Sequence, residues 1–436
     1  MVAAAGLRVL RLCSVFEPSA AALAGSRIGS DPIGGMQNHT GALTRALDRL
    51  GVVQTVVTAR PEGAPSEEPF ARHGTVFRLG SPTRRPRHLY SVPASRLVPA
   101  LAREADLLHA HLGEDLAVLP IAASAARRHG IPLVLTIHCS LEHTLRSVDA
   151  RTLMLKLLGG PIERWGEHRA SAVITLTERL RSLLVAGGVD AAKVHVIPSG
   201  VEPHLFSPSE RRPLPDVEGP RVVFVGRLVA AKGVSVLLAA AERLRTTDAQ
   251  LIYVGDGPER AALEREVRER GLQGRVHVTG FVPHDRVPGY LLSADVLVLP
   301  SLYEEMGSIL IEAMEAGVPV VASRTGGIGD VIRDGENGLL VEPGDVAELS
   351  EAIDRVLEDR PLANRFRLAG RTRAAGFHWD ALAGRVLDVY GSVLGCEVVV
   401  RRAPDQRAEV AASAGSSPVG NESASPSTRS GPSTRR

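Results

Sequence analysis

Cysteine is scarce in this sequence of 436 residues, which holds only Cys13, Cys139 and Cys396. An odd number, wide spacing and no Cys-x-x-Cys pair exclude a disulfide frame and a cysteine zinc site, and point to a reducing compartment. Long apolar runs are also missing: none approaches the ~20 residues of a membrane span. The start, Met1–Leu7, lacks the charged segment and apolar stretch of a signal peptide. A cytoplasmic protein is expected, with peripheral membrane contact left open. Charge of one sign is absent as well, since 51 Lys and Arg stand against 49 Asp and Glu. That balance gives no reason to expect a nucleic-acid partner.

What is present is ordinary globular material, 44% hydrophobic and 23% charged, in a length that suggests two or three domains. Short apolar runs alternate with helical patterns in two series. The first comprises Leu7–Val15, Val52–Ala59, Thr75–Leu79, Asp106–His111, Leu133–His138, Ala172–Thr177 and Lys193–Pro198. Helical stretches at Met36–Leu50 and Leu116–His129 lie between them. The second comprises Arg221–Gly226, Gln250–Gly255, Arg275–Gly280, Ala294–Pro300, Pro319–Ser323 and Gly338–Val341. Its helices are expected at Val234–Arg245, Pro258–Arg270, Ile309–Ala316 and Ala347–Glu358. Near-continuous apolar strands alternating with helices mean parallel sheets covered on both faces, an α/β fold.

The series are separated by Glu202–Pro220, whose prolines 203, 208, 213, 215 and 220 resist both helix and strand. Two doubly wound, Rossmann-like domains facing a central cleft follow, at about Met1–Glu202 and Leu205–Gly376. Ligands of such sheets sit at the carboxyl ends of the strands, so both domains can aim into the cleft. From about Arg402 to Arg436 large apolar residues almost vanish, and a disordered tail is expected.

The most specific pattern is Pro300-Ser301-Leu302-Tyr303-Glu304-Glu305-Met306-Gly307-Ser308-Ile309-Leu310-Ile311-Glu312-Ala313-Met314, with Gly317-Val318-Pro319 after it. An apolar strand ends, an acidic loop follows, and Gly307 opens a helix. The unpaired first-turn amides there, at Ser308 and Ile309, can bind a phosphate. Of the two acids, Glu304 and Glu312, one can face a sugar and the other a ribose. A second block, Val223-Phe224-Val225-Gly226-Arg227-Leu228 with Lys232-Gly233, sets two cations around a strand-to-helix turn. Cleaving a sugar–phosphate bond leaves extra negative charge on a diphosphate, and fixed cations stabilise that charge where it develops. Paired glycines, Gly34 and Gly35, follow the first strand and let backbone approach a phosphate or sugar closely. His138 stands at the tip of a buried strand. His109 and His111 end the preceding strand and could also face the cleft, but the three form no metal pattern.

These blocks resemble the retaining glycosyltransferases of family 4, which have the GT-B fold. The resemblance rests on the two glutamates, the Glu-Ala-Met and Gly-x-Pro-Val segments, Gly-Arg-x-x-x-x-Lys-Gly, the Gly-Gly loop and the strand-end histidine. It runs roughly from Leu7 to Tyr390, and Met306 departs from it where phenylalanine is usual. It implies that Arg227, Lys232 and the Gly307 helix start bind the leaving diphosphate. Glu304 and His138 would hold the donor sugar, Glu312 the ribose, and Gly280-Phe281 the base. It implies a last helix near His378–Leu394 packing on the first domain, and no metal or other cofactor beyond the nucleotide diphosphate sugar. Short segments at Gly34–Gln37, Gln54–Thr58 and Leu135–Ser140 resemble the 2-deoxystreptamine glycosyltransferases of aminoglycoside biosynthesis. That implies UDP-N-acetylglucosamine or UDP-glucose as donor and a small polyhydroxylated or amino-bearing acceptor. Glu114, Asp115 and Glu142 are then candidates to face the acceptor's amines.

Rival readings remain. A dehydrogenase wants G-x-G-x-x-G straight after a strand, and neither Phe16-Glu17-Pro18 nor Gly255-Asp256-Gly257-Pro258 supplies it. A GDP-mannose-dependent transferase acting on a lipid or inositol, an epimerase or phosphorylase on the same fold, and a non-catalytic two-lobed sugar-binding protein are the alternatives. The basic clusters Arg84-Arg85-Pro86-Arg87-His88 and Arg127-Arg128-His129 read as solvated faces, not as membrane anchors. Truncation after Arg401 should leave melting temperature and donor hydrolysis unchanged, because the tail has little apolar surface to bury. A large fall in melting temperature would show that the tail is structural.

Overall fold

The computed structural model describes residues 2–19, 35–80, 87–113, 115–142, 150–207 and 218–399. Gly34, Arg84, Arg85, Glu114, prolines 208, 213 and 215, and the tail 402–436 lie outside the described residues.

The first sheet has eight strands among the described residues. Their spatial order is Glu67–Phe70, Gly74–Leu79, Val53–Ala59, Arg8–Cys13, Leu107–Leu112, Leu133–Ile137, Ala172–Thr175, Val194–Val196. All neighbours run parallel except Glu67–Phe70, which pairs antiparallel with Gly74–Leu79. That edge strand, Glu-Glu-Pro-Phe, has no apolar alternation, so its sequence carries no strand signal. The second sheet has six parallel strands in the order Val276–Gly280, Gln250–Val254, Arg221–Val225, Val296–Leu299, Val320–Ser323, Leu339–Val341. Leu107–Leu112, Leu133–Ile137, Val296–Leu299 and Val320–Ser323 are buried at every position, which is why they are apolar apart from His109, His111, Thr136 and Ser323. The α/β architecture of two large sheets expected from the sequence is the observed one, with Val2–Ala3 and Val398–Val399 adding a small two-stranded parallel sheet.

In each sheet the chain reverses its direction of strand addition once. The reversals fall between Arg8–Cys13 and Leu107–Leu112, and between Arg221–Val225 and Val296–Leu299. At such a switch point the flanking loops leave in opposite directions and open a crevice at the strands' carboxyl ends. The loops from Gly226 and Pro300 leave from the second reversal, and Gly113 follows a strand of the first.

Two helices cover one face of the first sheet. Gly35–Arg49 buries His39, Leu43, Ala46 and Leu47, a stripe at helical spacing. Trp379–Leu394 follows the second sheet in sequence yet packs here: Trp379, Leu382, Val386 and Tyr390 share a core with Leu43 and Leu47. The chain therefore crosses between the sheets twice.

Several helices carry no clear sequence signal. Ala150–Arg169 contains Pro161 and the glycines 159, 160 and 166, all adverse to helix. Packing overrides propensity there, since a side chain at Gly159 or Gly166 would overlap Leu116, Leu141 or Leu119. The same helix leaves Leu157, Ile162 and Trp165 exposed. Among the described residues no helix is long and apolar enough to cross a membrane.

Candidate active site

The second switch point builds one wall of the cleft. After the strand Arg221–Val225 the chain turns through Arg227 and a short 3-10 turn, Ala230–Lys232, into Gly233. Gly233 has φ +66°, and a Cβ there would overlap the Pro300 carbonyl oxygen, so this turn lies directly on the end of the strand Val296–Leu299. Leu302 N–H donates to the Ala231 carbonyl at 2.9 Å and fixes the register of the two loops. Lys232 Nζ thereby meets Glu304 Oε2 in an ion pair, beside Ser301 Oγ at 3.4 Å from the same oxygen. Arg227 is exposed and makes no ion pair among the described residues.

Gly307, at φ 73°, starts the helix Ser308–Ala316, and a Cβ on it would lie 3.3 Å from Glu304 Cγ, so the unpaired first amides of this helix begin beside that acid. One turn in, Glu312 Oε1 accepts from or pairs with His284 Nε2 at 3.2 Å. Its other oxygen, Oε2, is buried without a hydrogen-bond partner. Burial disfavours the His284 cation, but the Glu312 carboxylate beside it outweighs that and raises its pKa. His284 comes from the loop after the strand Val276–Gly280, next to the half-buried Phe281. Gly280 accepts from Gly255 N–H at 3.1 Å, tying two adjacent strand ends together.

The opposite wall belongs to the first sheet. Gly35 sits where a Cβ would come 3.8 Å from Ser308 Oγ, so the first helix begins against the start of Ser308–Ala316. His138 is half-buried at its strand tip, its Nε2 3.1 Å from His111 Nδ1 and its ring centroid 4.5 Å from that of His39. His39 Nδ1 lies 3.2 Å from Ser199 Oγ, and Ser199 N–H points at Met306 Sδ, 3.2 Å away. Met306 is 4% exposed and packs in the core. The methionine that departs from the family pattern thus fills its place and bonds across the cleft.

Two expectations are corrected. His109 and His111 do not face the cleft; both are fully buried in the sheet under the two covering helices. Asp115 is buried too and accepts from Ala117 N–H at 3.0 Å, so its carboxylate serves its own turn. Glu142 is half-buried and paired with Arg164.

Other functional neighbours had no sequence signal. His39, in the first helix, brings a ring nitrogen within 4.8 Å of one on His111 and one on His138, close enough in principle to hold a metal. A single histidine on a helix's apolar stripe looks like any core residue. Glu305 reaches the first domain, taking a hydrogen bond from Thr177 Oγ1 at 3.0 Å and from Tyr303 OH at 2.7 Å. Beside the first sheet's cleft edge, Glu163 accepts from Leu141 N–H at 2.9 Å, and burial pushes Glu167 up to about 8.

Comparison with known proteins agrees with this fold. Residues 33–205 match the Glycosyltransferase Family 4 profile, and residues 207–373 the profile of Glycosyl transferases group 1. A 2-deoxystreptamine glucosyltransferase of Streptomyces kanamyceticus is 34% identical over 83% of this chain and 100% of its own. A 2-deoxystreptamine N-acetyl-D-glucosaminyltransferase of Streptomyces fradiae is 33% identical over 81% of this chain and 89% of its own. Among solved structures, sucrose-phosphate synthase of Thermosynechococcus elongatus aligns with a TM-score of 0.75 at 26% identity, covering 89% of this chain and 99% of that one.

Burial holds His39, His109, His111 and His138 neutral, with His138 lowered to about 3 and the others well below the usual value. In the unfolded chain each takes up a proton below about pH 6.5, so acid favours unfolding by about 1.4 kcal/mol per histidine per pH unit. His109→Gln keeps an acceptor toward Tyr390 and a donor toward Thr136. Its stability in urea melts should fall less steeply than wild type as pH drops from about 6 to 5, by about 1.4 kcal/mol per pH unit. An identical slope would mean that His109 is not a buried neutral group.

Proposed function

The chain belongs to the glycosyltransferases of family 4, with the GT-B fold, and on that premise we propose that it is a retaining, nucleotide-sugar-dependent enzyme of the cytoplasm. Its donor is UDP-glucose or UDP-N-acetylglucosamine, and its acceptor a small aminocyclitol of the 2-deoxystreptamine type. The observation that carries this reading is the convergence at one corner of Lys232, Glu304, the Gly307 helix start and Glu312.

In the unliganded protein Lys232 and Glu304 neutralise each other. A diphosphate entering at the helix start competes for Lys232 and frees Glu304 for the hydroxyls of the donor sugar. When the bond from the anomeric carbon to the phosphate oxygen breaks, its electron pair leaves with the diphosphate. Lys232, Arg227 and the amides of Ser308 and Ile309 stabilise the charge that appears there. The same groups supply what a metal would, so no metal is proposed. The orphaned Glu312 Oε2 fits a ribose hydroxyl, which would satisfy it. Phe281 and the Gly280 backbone would hold the base.

Retention is supported by the state of the nearby carboxylates. Glu304 is held by Lys232, Glu305 by Thr177 and Tyr303, and Glu312 by His284. With the donor bound, Glu304 is taken up by the sugar hydroxyls while Glu305 and Glu312 keep their partners, which fits attack by the acceptor hydroxyl on the face the diphosphate leaves, its proton passing to the departing phosphate oxygen. The amino-bearing acceptor is supported by the 2-deoxystreptamine transferases among the relatives.

Glu312→Ala should weaken binding of the nucleoside diphosphate by ~1.5–3 kcal/mol, roughly ten- to a hundredfold in calorimetry. Lys232→Ala should cut kcat more than it raises KM for the donor, because the leaving charge grows only as the bond breaks. Wild-type affinity in the first variant would remove Glu312 from the ribose, and wild-type turnover in the second would remove Lys232 from the diphosphate.

A further inference from the structure

Arg11 is 1% exposed in the middle of the first sheet, and no carboxylate is among its hydrogen-bond partners in the described residues. Its strand position pairs with His109 on the neighbouring strand, and His111 lies two residues further along the same face. Arg11 NH1 is 3.1 Å from His111 Nε2, and NH2 is 3.3 Å from Tyr390 OH. A guanidinium has donors only. The direction of each hydrogen bond from it through the His111 imidazole is therefore fixed.

His111 Nε2 must accept from Arg11, so neutral His111 carries its proton on Nδ1. That N–H points at His138 Nε2, 3.1 Å away, which must in turn accept. A parallel arm runs through Tyr390, whose OH accepts from Arg11 and lies 2.7 Å from His109 Nδ1, with His109 Nε2 2.7 Å from Thr136 Oγ1; a hydroxyl both donates and accepts, so this arm does not fix the His109 tautomer. We infer that Arg11 is a positioning residue which, through His111, holds His138 in the Nδ1–H tautomer, with Nε2 occupied as an acceptor.

His138 Nδ1 has no partner among the described residues, so its N–H is the donor left for a ligand in the cleft. His138 then recognises an oxygen acceptor, such as a sugar hydroxyl, and cannot act as a general base. This use of the ring rests on the reading that His138 touches the donor sugar; the tautomer itself does not. The same geometry speaks against a metal held by His39, His111 and His138. Metal binding through His111 Nδ1 would move its proton to Nε2, where it would face an Arg11 donor, and would add a dication beside a buried cation.

Long-range proton–nitrogen NMR on the histidine-labelled full chain at neutral pH reads the tautomers without any substrate. Signals are assigned with His111→Gln and His138→Gln. Both His111 and His138 should appear as Nδ1–H, unchanged by one equivalent of zinc. In Arg11→Met the His138 signal should shift toward a mixture of tautomers, while kcat falls about tenfold or more and donor KM stays within about threefold. Arg11→Lys, which restores a cationic donor, should recover most of both, and covers the case in which Arg11→Met does not fold. An Nε2–H tautomer of His138 in the wild type, or histidine signals lost to stoichiometric zinc, overturns the proposal. So does a folded Arg11→Met with a shifted tautomer and wild-type kcat. A wild type that turns over no nucleotide sugar counts against the proposed function, and the NMR readout still decides the tautomer.

Discussion

The cleft depends on two places where backbone meets backbone too closely for any side chain. Gly233 lies on the Pro300 carbonyl and Gly326, at φ +55°, on the Glu304 carbonyl. Between them the loop from Pro300 to Gly307 is gripped from both sides, with Gly327 N–H donating to the Glu305 carbonyl at 3.0 Å. Glu304 therefore reaches Lys232 from a fixed backbone, not from a mobile loop, and Gly307 starts its helix at a fixed point. A Cβ at either glycine would push this loop out and take the acid, the cation and the helix start out of register. Groups held this way lose little ordering entropy when a ligand arrives.

The two walls are coupled through few but specific contacts. Thr177 donates to Glu305, Arg179 lies against Tyr303, and the Glu178 amide donates to Asp330 at 2.7 Å. Ser199 joins His39 on one side to Met306 on the other. Burial raises the Glu305 pKa, against the bonds from Tyr303 and Thr177 that favour its ionised form. Polar contacts of this kind, beside Leu176 and Val201, which pack into the core of the second sheet, can reset when a donor binds between the walls.

The strands were readable because parallel strands buried on both faces must be largely apolar, as Leu133–Ile137 and Val296–Leu299 are. The Glu304 block and the Lys232 turn were readable because their spacing is set by local geometry, a strand end followed by a loop and a helix start. Arg11, His39 and His284 were not, since each acts on partners remote in sequence: Arg11 and Tyr390 are 379 positions apart. His109 and His111 misled for a related reason. Their place near a strand end says nothing of the helix that arrives from beyond the second sheet to cover them. Ala150–Arg169 was hidden by glycines that serve packing and oppose propensity.

The central claim is that a sugar leaves a nucleoside diphosphate and joins a soluble amino-bearing acceptor with its anomeric configuration kept. Purified enzyme incubated with UDP-glucose or UDP-N-acetylglucosamine and 2-deoxystreptamine, followed by proton NMR of the product, tests it directly. Release of UDP and one new α-linked sugar are expected, the linkage shown by the small coupling of its anomeric proton. A β-linked product, or no transfer and no UDP release from either donor by folded enzyme, would contradict it.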